Sequence, residues 1–134
     1  MSEYPALDHF AITVNNLQNS ITFYEANFDF EKIEESDKPD FRLKKALMRR
    51  GSSKLELIEP YIQKESQTTE KNKKDLQYFL RKPGANHLAF ITLDINSFYN
   101  RLKKNGVEFV SELKTNFFFC LDLDNTLIEV KEKK

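Results

Sequence analysis

The sequence predicts an α+β fold, a single domain over residues 1–134 made of two βαβββ modules at about residues 6–62 and 84–132. Three observations carry that prediction. "DHFAITVNNLQNSITFYEANFDFEKI" and "NHLAFITLDINSFYNRLKKNGVEFV" both read as strand, helix, strand. The only two histidines fall at the same place in each copy, His9-Phe-Ala-Ile and His87-Leu-Ala-Phe. Asn27 also follows His9 at the interval by which Asn105 follows His87.

Leu7–Val14 alternates around β-branched and aromatic residues and predicts the first strand. Leu17, Ile21, Tyr24 and Phe28 recur at helical spacing, so Leu17–Phe28 predicts an amphipathic helix. "FDFEKIEE", "FRLKKALMRR" and "KLELIEP" predict three strands, punctuated by turn residues at Asp37–Asp40 and Gly51–Ser53. "QKESQTTEKNKKD" is polar and charged throughout, which predicts a solvated linker. Asp75–Lys82 predicts a short helix that stops before Pro83 and Gly84. The second module then begins, and "TNFFFCLD" and "NTLIEVKE" supply its last two strands. The tail "KEKK" is expected to fray into solvent.

Composition narrows the function. Lys+Arg and Asp+Glu balance at 21 each, so no global field draws in nucleic acid or an acidic membrane. No apolar run is long enough to span a bilayer, and "MSEYPALDHF" lacks the basic start and apolar stretch of a signal peptide. Cys120 is the only cysteine; it cannot found a disulfide framework and is expected to be a small buried hydrophobe in a cytoplasmic protein. Neither a P-loop nor a GxGxxG is present. "CLDLDNTLI" resembles the nucleophile motif of haloacid-dehalogenase-type phosphatases, but too little chain follows Asp124 for the body that chemistry needs. An EF-hand loop fails as well, because its bidentate glutamate would fall on Lys133.

Side chains alternate along a strand, so His9, Ala11 and Thr13 share one face, and Phe10, Ile12 and Val14 share the other. His87, Ala89 and Ile91 are likewise separated from Leu88 and Phe90. In each module the histidine turns away from the bulky face that packs under the helix, and a small alanine leaves room beside it. Each module also has a glutamate in an apolar strand: Glu56 between Leu55 and Leu57, and Glu129 between Ile128 and Val130. A lone strand histidine is more often a hydrogen-bonded structural residue, and a lone strand glutamate more often faces solvent. Recurrence at matched places alters that balance. Two modules related by a pseudo-twofold axis would converge two imidazoles and two carboxylates, a donor set suited to a first-row divalent metal with open water positions. The basic stretch Arg42–Arg50 reads as an edge strand protected by its charges, or as a grip for a substrate anion. "NFFFCL" reads as core, with one face available as a pocket wall.

These residues resemble the vicinal oxygen chelate superfamily, which includes glyoxalase I, methylmalonyl-CoA epimerase, extradiol dioxygenases and antibiotic-resistance proteins. "DHFAITVNNLQNSITFYEANFDF" is similar to the family's opening strand and helix, "KLELIEP" to the strand with its second ligand, "GANHLAF" to the third, and "DLDNTLIEV" to the closing strand. The resemblance implies paired modules forming a curled mixed sheet around a metal, the glyoxalase/bleomycin-resistance fold. It implies His9, Glu56, His87 and Glu129 as ligands of a divalent ion such as Zn, Ni or Co. A two-His, two-Glu set resembles the lyase and isomerase branches, which implies a glyoxalase I-like enzyme of the lactoylglutathione lyase family. Such an enzyme stabilises an enolate or enediolate of a small carbonyl substrate (a thiol adduct or a thioester), with Glu129 as base and Glu56 across the site. The alternatives are an acyl-CoA epimerase and a non-catalytic, resistance-type binding module. A homodimer is the expected assembly, and the site can close within one chain or across that dimer; neither nucleic acid nor membrane is an expected partner. Two departures stand out: "HFAITV" lacks the first-strand arginine of glyoxalase I, and Asp122-Leu123-Asp124-Asn125 replaces the usual Asp-Pro-Asp-Gly.

Overall fold

A computed structural model describes residues 5–134; residues 1–4, part of the stretch read against a signal peptide, lie outside it. The chain divides into two compact units that meet at Lys64 and Glu65, inside the polar segment read as a linker. Each unit holds one four-stranded mixed sheet.

The first unit runs β1 (Phe10–Thr13), α1 (Leu17–Phe28), β2 (Glu31–Lys38), β3 (Leu43–Arg50) and β4 (Ser53–Pro60). Its sheet order is β1-β4-β3-β2, with β1 parallel to β4 and the other pairs antiparallel. The helix starts where the Asn16 side chain accepts a hydrogen bond from the Asn19 N–H at 2.9 Å, and stops at Asp29 in the left-handed region, φ 56°. Its predicted stripe, Leu17, Ile21, Tyr24 and Phe28, is buried, and α1 packs on β3 and β4. Beneath it lie Ile12, Val14, Ala46, Met48, Leu55 and Leu57, all buried. Burial of each such side chain is worth roughly 1.5–3 kcal/mol for the larger ones. Gly51, at φ 58°, makes the tight turn from β3 to β4 that the sequence marks. Against expectation, the basic stretch Arg42–Arg50 does not lie at a sheet edge. β3 is not an edge strand, for it pairs with β2 on one side and β4 on the other; the exposed edge is β2.

In the second unit a 3₁₀ turn at Asn72–Lys74 and α2 (Leu76–Leu80) precede β5 (Leu88–Thr92), α3 (Ile95–Lys104), β6 (Glu108–Phe109), β7 (Phe117–Leu121) and β8 (Leu127–Glu132). The order β5-β8-β7-β6, with β5 parallel to β8, repeats the first sheet. Asp94 caps α3 by accepting from the Ser97 N–H at 3.1 Å. Ile95 and Leu102 of α3 are buried, and Tyr99 packs its ring against Phe109 and Phe118 on one sheet face. The opposite face is covered too: Phe79 of α2 joins Val110, Phe119, Leu121 and Leu127 in an apolar cluster. β6 covers only two residues, shorter than "VEFV" suggests; beyond it the N–H groups of Val110 and Ser111 both donate to the Phe119 carbonyl, which breaks the regular ladder.

The repeat goes deeper than the strands. The N–H of Leu17 donates to Glu59 Oε1 at 2.8 Å, and the N–H of Ile95 donates to Glu132 Oε2 at 3.2 Å. In each unit a glutamate of the last strand therefore satisfies the first orphan amide of the helix. The turn before β8 is held by buried Asp122, whose Oδ1 accepts from the N–H groups of Asp124 at 2.9 Å and Thr126 at 2.8 Å, with Asn125 at φ 65°. That structural use accounts for "CLDLDNTLI". No helix among the described residues is long and apolar enough to cross a membrane.

Candidate functional site

The parallel ladders place the predicted donors. Ala11 pairs with Glu56 in the first unit, and Ala89 pairs with Glu129 in the second. Side chains two apart on a strand share a face, so each histidine, two residues before that alanine, lies on the face of its glutamate. His9 and His87 fall one residue ahead of the ladders, immediately before β1 and β5 rather than inside them. His9 Nε2 lies 3.9 Å from Glu56 Oε2, and His87 Nε2 lies 3.4 Å from Glu129 Oε1. Leu55, Leu57, Ile128 and Val130 are buried on the other face, as the alternation predicts.

Both rings are oriented by the residue just before them. His9 Nδ1 lies 2.8 Å from Asp8 Oδ2, and His87 Nδ1 lies 2.8 Å from Asn86 Oδ1. An acceptor at Nδ1 favours the tautomer with the proton there, whose Nε2 is free to bind a metal. Asp8 also pairs with Lys54 Nζ at 3.4 Å. The His9 hydrogen bond, then the Lys54 charge, holds the Asp8 carboxyl below the ordinary aspartate value. Asn86 is fixed by donating from Nδ2 to the Phe79 carbonyl at 2.9 Å. Sequence reasoning passed over Asp8 and Asn86, although "DH" and "NH" open both copies of the repeat.

The surroundings differ between pairs. Leu47 stands across the ladder from Glu56, and Phe119 across from Glu129. The His87 ring packs edge-on against Phe119, centroids 5.7 Å apart. Lys45, from the basic stretch, brings Nζ to 3.4 Å from Glu56 Oε2, whereas Arg49 pairs with Glu31 on β2 at 3.0 Å. A small cleft beside Glu56 is lined by Glu34, Ser36, Lys45 and Leu47. Cys120 is buried, and burial pushes its thiol up to about 12, so it is no nucleophile near neutral pH.

Nitrogen and oxygen donors at about 2.0–2.2 Å from one ion lie roughly 3–3.5 Å from each other. The 3.4 Å pair meets that separation as it stands, and the 3.9 Å pair is a small side-chain adjustment away. Each pair therefore fits two ligand positions on a divalent ion. The structure brings His9 to Glu56 and His87 to Glu129; among the described residues no group of three or more His, Cys, Asp or Glu side chains stands ready to hold a metal.

The family model described as Glyoxalase/Bleomycin resistance protein/Dioxygenase superfamily matches residues 6–130. Solved structures share the fold. A glyoxalase family protein from Enterococcus faecalis superposes with a TM-score of 0.76 at 23% identity, over 96% of this chain and 98% of its own. The trypanothione-dependent glyoxalase I of Leishmania major gives 0.76 at 20% identity, over 96% and 87%. A mutant of FosX, the fosfomycin resistance protein of Listeria monocytogenes, complexed with Mn(II) and 1S,2S-dihydroxypropylphosphonic acid, gives 0.68 at 20% identity, over 96% and 93%. No curated protein matches the sequence.

Proposed function

We propose a divalent-metal-dependent lyase or isomerase of glyoxalase type, from the premise that the chain belongs to the Glyoxalase/Bleomycin resistance protein/Dioxygenase superfamily. In this reading His9, Glu56, His87 and Glu129 are the ligands of one ion, with Zn, Ni or Co suited to nitrogen and carboxylate donors. The observation that carries it is the matched register, Ala11 opposite Glu56 and Ala89 opposite Glu129, each two residues after an oriented histidine. Structural hydrogen bonding alone has no need to repeat a donor pair and its orienting group in both units. Mn(II) bound to the Listeria protein supports a metal in this fold.

When bound, a divalent ion supplies Lewis-acid stabilisation of the negative charge that builds on a substrate carbonyl oxygen as the neighbouring carbon loses a proton. Glu129 takes that proton and returns it, as general base and then acid. Glu56 would be its partner ligand. Asp8 and Asn86 keep both Nε2 atoms available, and Phe119 beside His87 limits the freedom of that ring. The proposed assembly is a homodimer, and the compartment a reducing cytoplasm, which suits a lone buried cysteine.

Exchange of a substrate α-proton in D₂O, followed by NMR over a panel of carbonyl compounds, hemithioacetals and acyl thioesters, tests the reading. Metal-dependent exchange is expected with at least one class, and a thioester as the best substrate would favour an acyl-CoA epimerase. Without the first-strand arginine, glutathione hemithioacetals should be poor substrates. Tight binding with no exchange across the panel would instead identify a sequestering, resistance-type module.

A further inference from the structure

The cleft on the Glu56 face of β2, β3 and β4 contains groups that the proposed proton transfer does not use. Ser36 and Lys45 are direct cross-strand partners, and Lys45 in turn faces Ile58 on β4. Glu34, Leu47 and Glu56 form the next row on the same face. The Ser36 Oγ is buried and has no hydrogen-bond partner among the described residues. Buried hydroxyls are rarely left so, because an unmet donor carries its full desolvation penalty. Lys45 Nζ is held loosely, 3.4 Å from Glu56 Oε2, longer than the roughly 2.7–2.9 Å of a strong charge-assisted bond.

We propose that Lys45 and Ser36 form an oxyanion subsite, which binds a carboxylate, phosphate or phosphonate carried by the substrate next to its reacting carbonyl. The subsite rests on the reading of Glu56 as a metal ligand. Metal binding commits the Glu56 charge, so Lys45 loses its counter-ion while its ammonium and the Ser36 hydroxyl remain on directly paired residues lining one cleft. An oxyanion accepts from both at once, which a neutral substituent cannot do as well. Glu34 also lines the cleft, but it is exposed on the edge strand, where solvent screens its repulsion. The substrate class is thereby narrowed to small carbonyl compounds bearing an anionic group on the first-unit side of the metal.

Glu56→Gln imitates the committed charge without any metal, which makes the subsite testable by itself. Chelator-treated Glu56→Gln protein is titrated with methylphosphonate and, separately, with acetate by calorimetry, alongside chelator-treated wild type. At least one probe should bind the variant about tenfold or more tightly than wild type, and the probe that does so names the substituent. Adding Lys45→Gln should remove that gain, adding Ser36→Ala should reduce it several-fold, and Lys45→Arg should keep most of it. Equal binding with and without Glu56→Gln, or gains indifferent to Lys45 and Ser36, would overturn the subsite. Failure of wild type to bind Mn(II) would count against the metal reading while leaving this comparison intact. Circular dichroism of each variant separates a lost subsite from a lost fold.

Discussion

Glu56 and Glu129 hold the same register position in their units, yet their neighbours have opposite character. Leu47, half-buried, faces Glu56, and Lys45 supplies a cation. Buried Phe119 faces Glu129, and Phe117 holds the place equivalent to Lys45, opposite Lys131 as Lys45 is opposite Ile58. On this sheet face the first unit carries Glu34, Ser36, Lys45 and Glu56, whereas the second packs α2 and the cluster around Phe79 and Leu127 there. What is shared is the donor pair, because it is fixed by a parallel ladder and needs nothing from the rest of the sheet. What differs is charge, which decides how each carboxylate can be used. Glu129 has no ammonium at the place where Glu56 has one, and that favours Glu129 as the proton carrier.

The largest effect should break the symmetry of the pairs. Glu129→Gln, kept saturated with metal, should slow α-proton exchange by ~10²–10⁴-fold, since an amide can still offer oxygen to an ion but cannot take the proton. Glu56→Gln under the same conditions should cost far less; equal losses would make the two carboxylates chemically equivalent.

The contrast in packing should appear in stability. Phe119→Ala removes a buried ring and is expected to cost about 3–5 kcal/mol in urea unfolding. Leu47→Ala, at the matching position but half-exposed, should cost roughly 1 kcal/mol. Similar costs would show that the faces are alike after all.

Next in size are the orienting groups. Asp8→Ala and Asn86→Ala should each weaken metal binding by ~10–100-fold, measured by competition with a chelator. Asp8 should lie at the upper end, because a carboxylate holds an imidazole N–H more strongly than an amide does. No loss from either variant would make both contacts incidental.

The smallest effect separates the two helix caps. Asn16→Ala should destabilise by about 1 kcal/mol at any pH. Asp94 is different: the Ser97 N–H bond holds its carboxyl below the ordinary aspartate value. A depressed folded-state value means the stabilisation is present above the unfolded value, near 3.8, and is lost as pH falls through the folded one. Asp94→Ala should therefore matter at neutral pH and cease to matter in strong acid.

Much of the fold is legible in the sequence alone. Leu17–Phe28 is helical to the residue because its apolar spacing and the Asn16 cap agree. Both His–Glu pairs follow from alternation plus repetition, two signals that survive without a structure. The edge-strand reading of Arg42–Arg50 was wrong because strand order is a long-range property. Charge on a strand says which residues meet solvent, and it says nothing about whether another strand lies alongside. Asp8 and Asn86 were passed over because an Asx beside a histidine is usually incidental, and only the matched 2.8 Å contacts single them out. Ser36 carried no signal at all: an orphaned hydroxyl depends on what fails to surround it.

Metal stoichiometry decides whether the two pairs serve one ion. Elemental analysis of reconstituted wild type should find about one divalent ion per chain, and replacing either pair, His9 and Glu56 or His87 and Glu129, by alanine should remove the whole of it. Two ions per chain, with one retained whenever either pair is removed, would show two separate sites and contradict the account, as would a reconstituted protein that holds none.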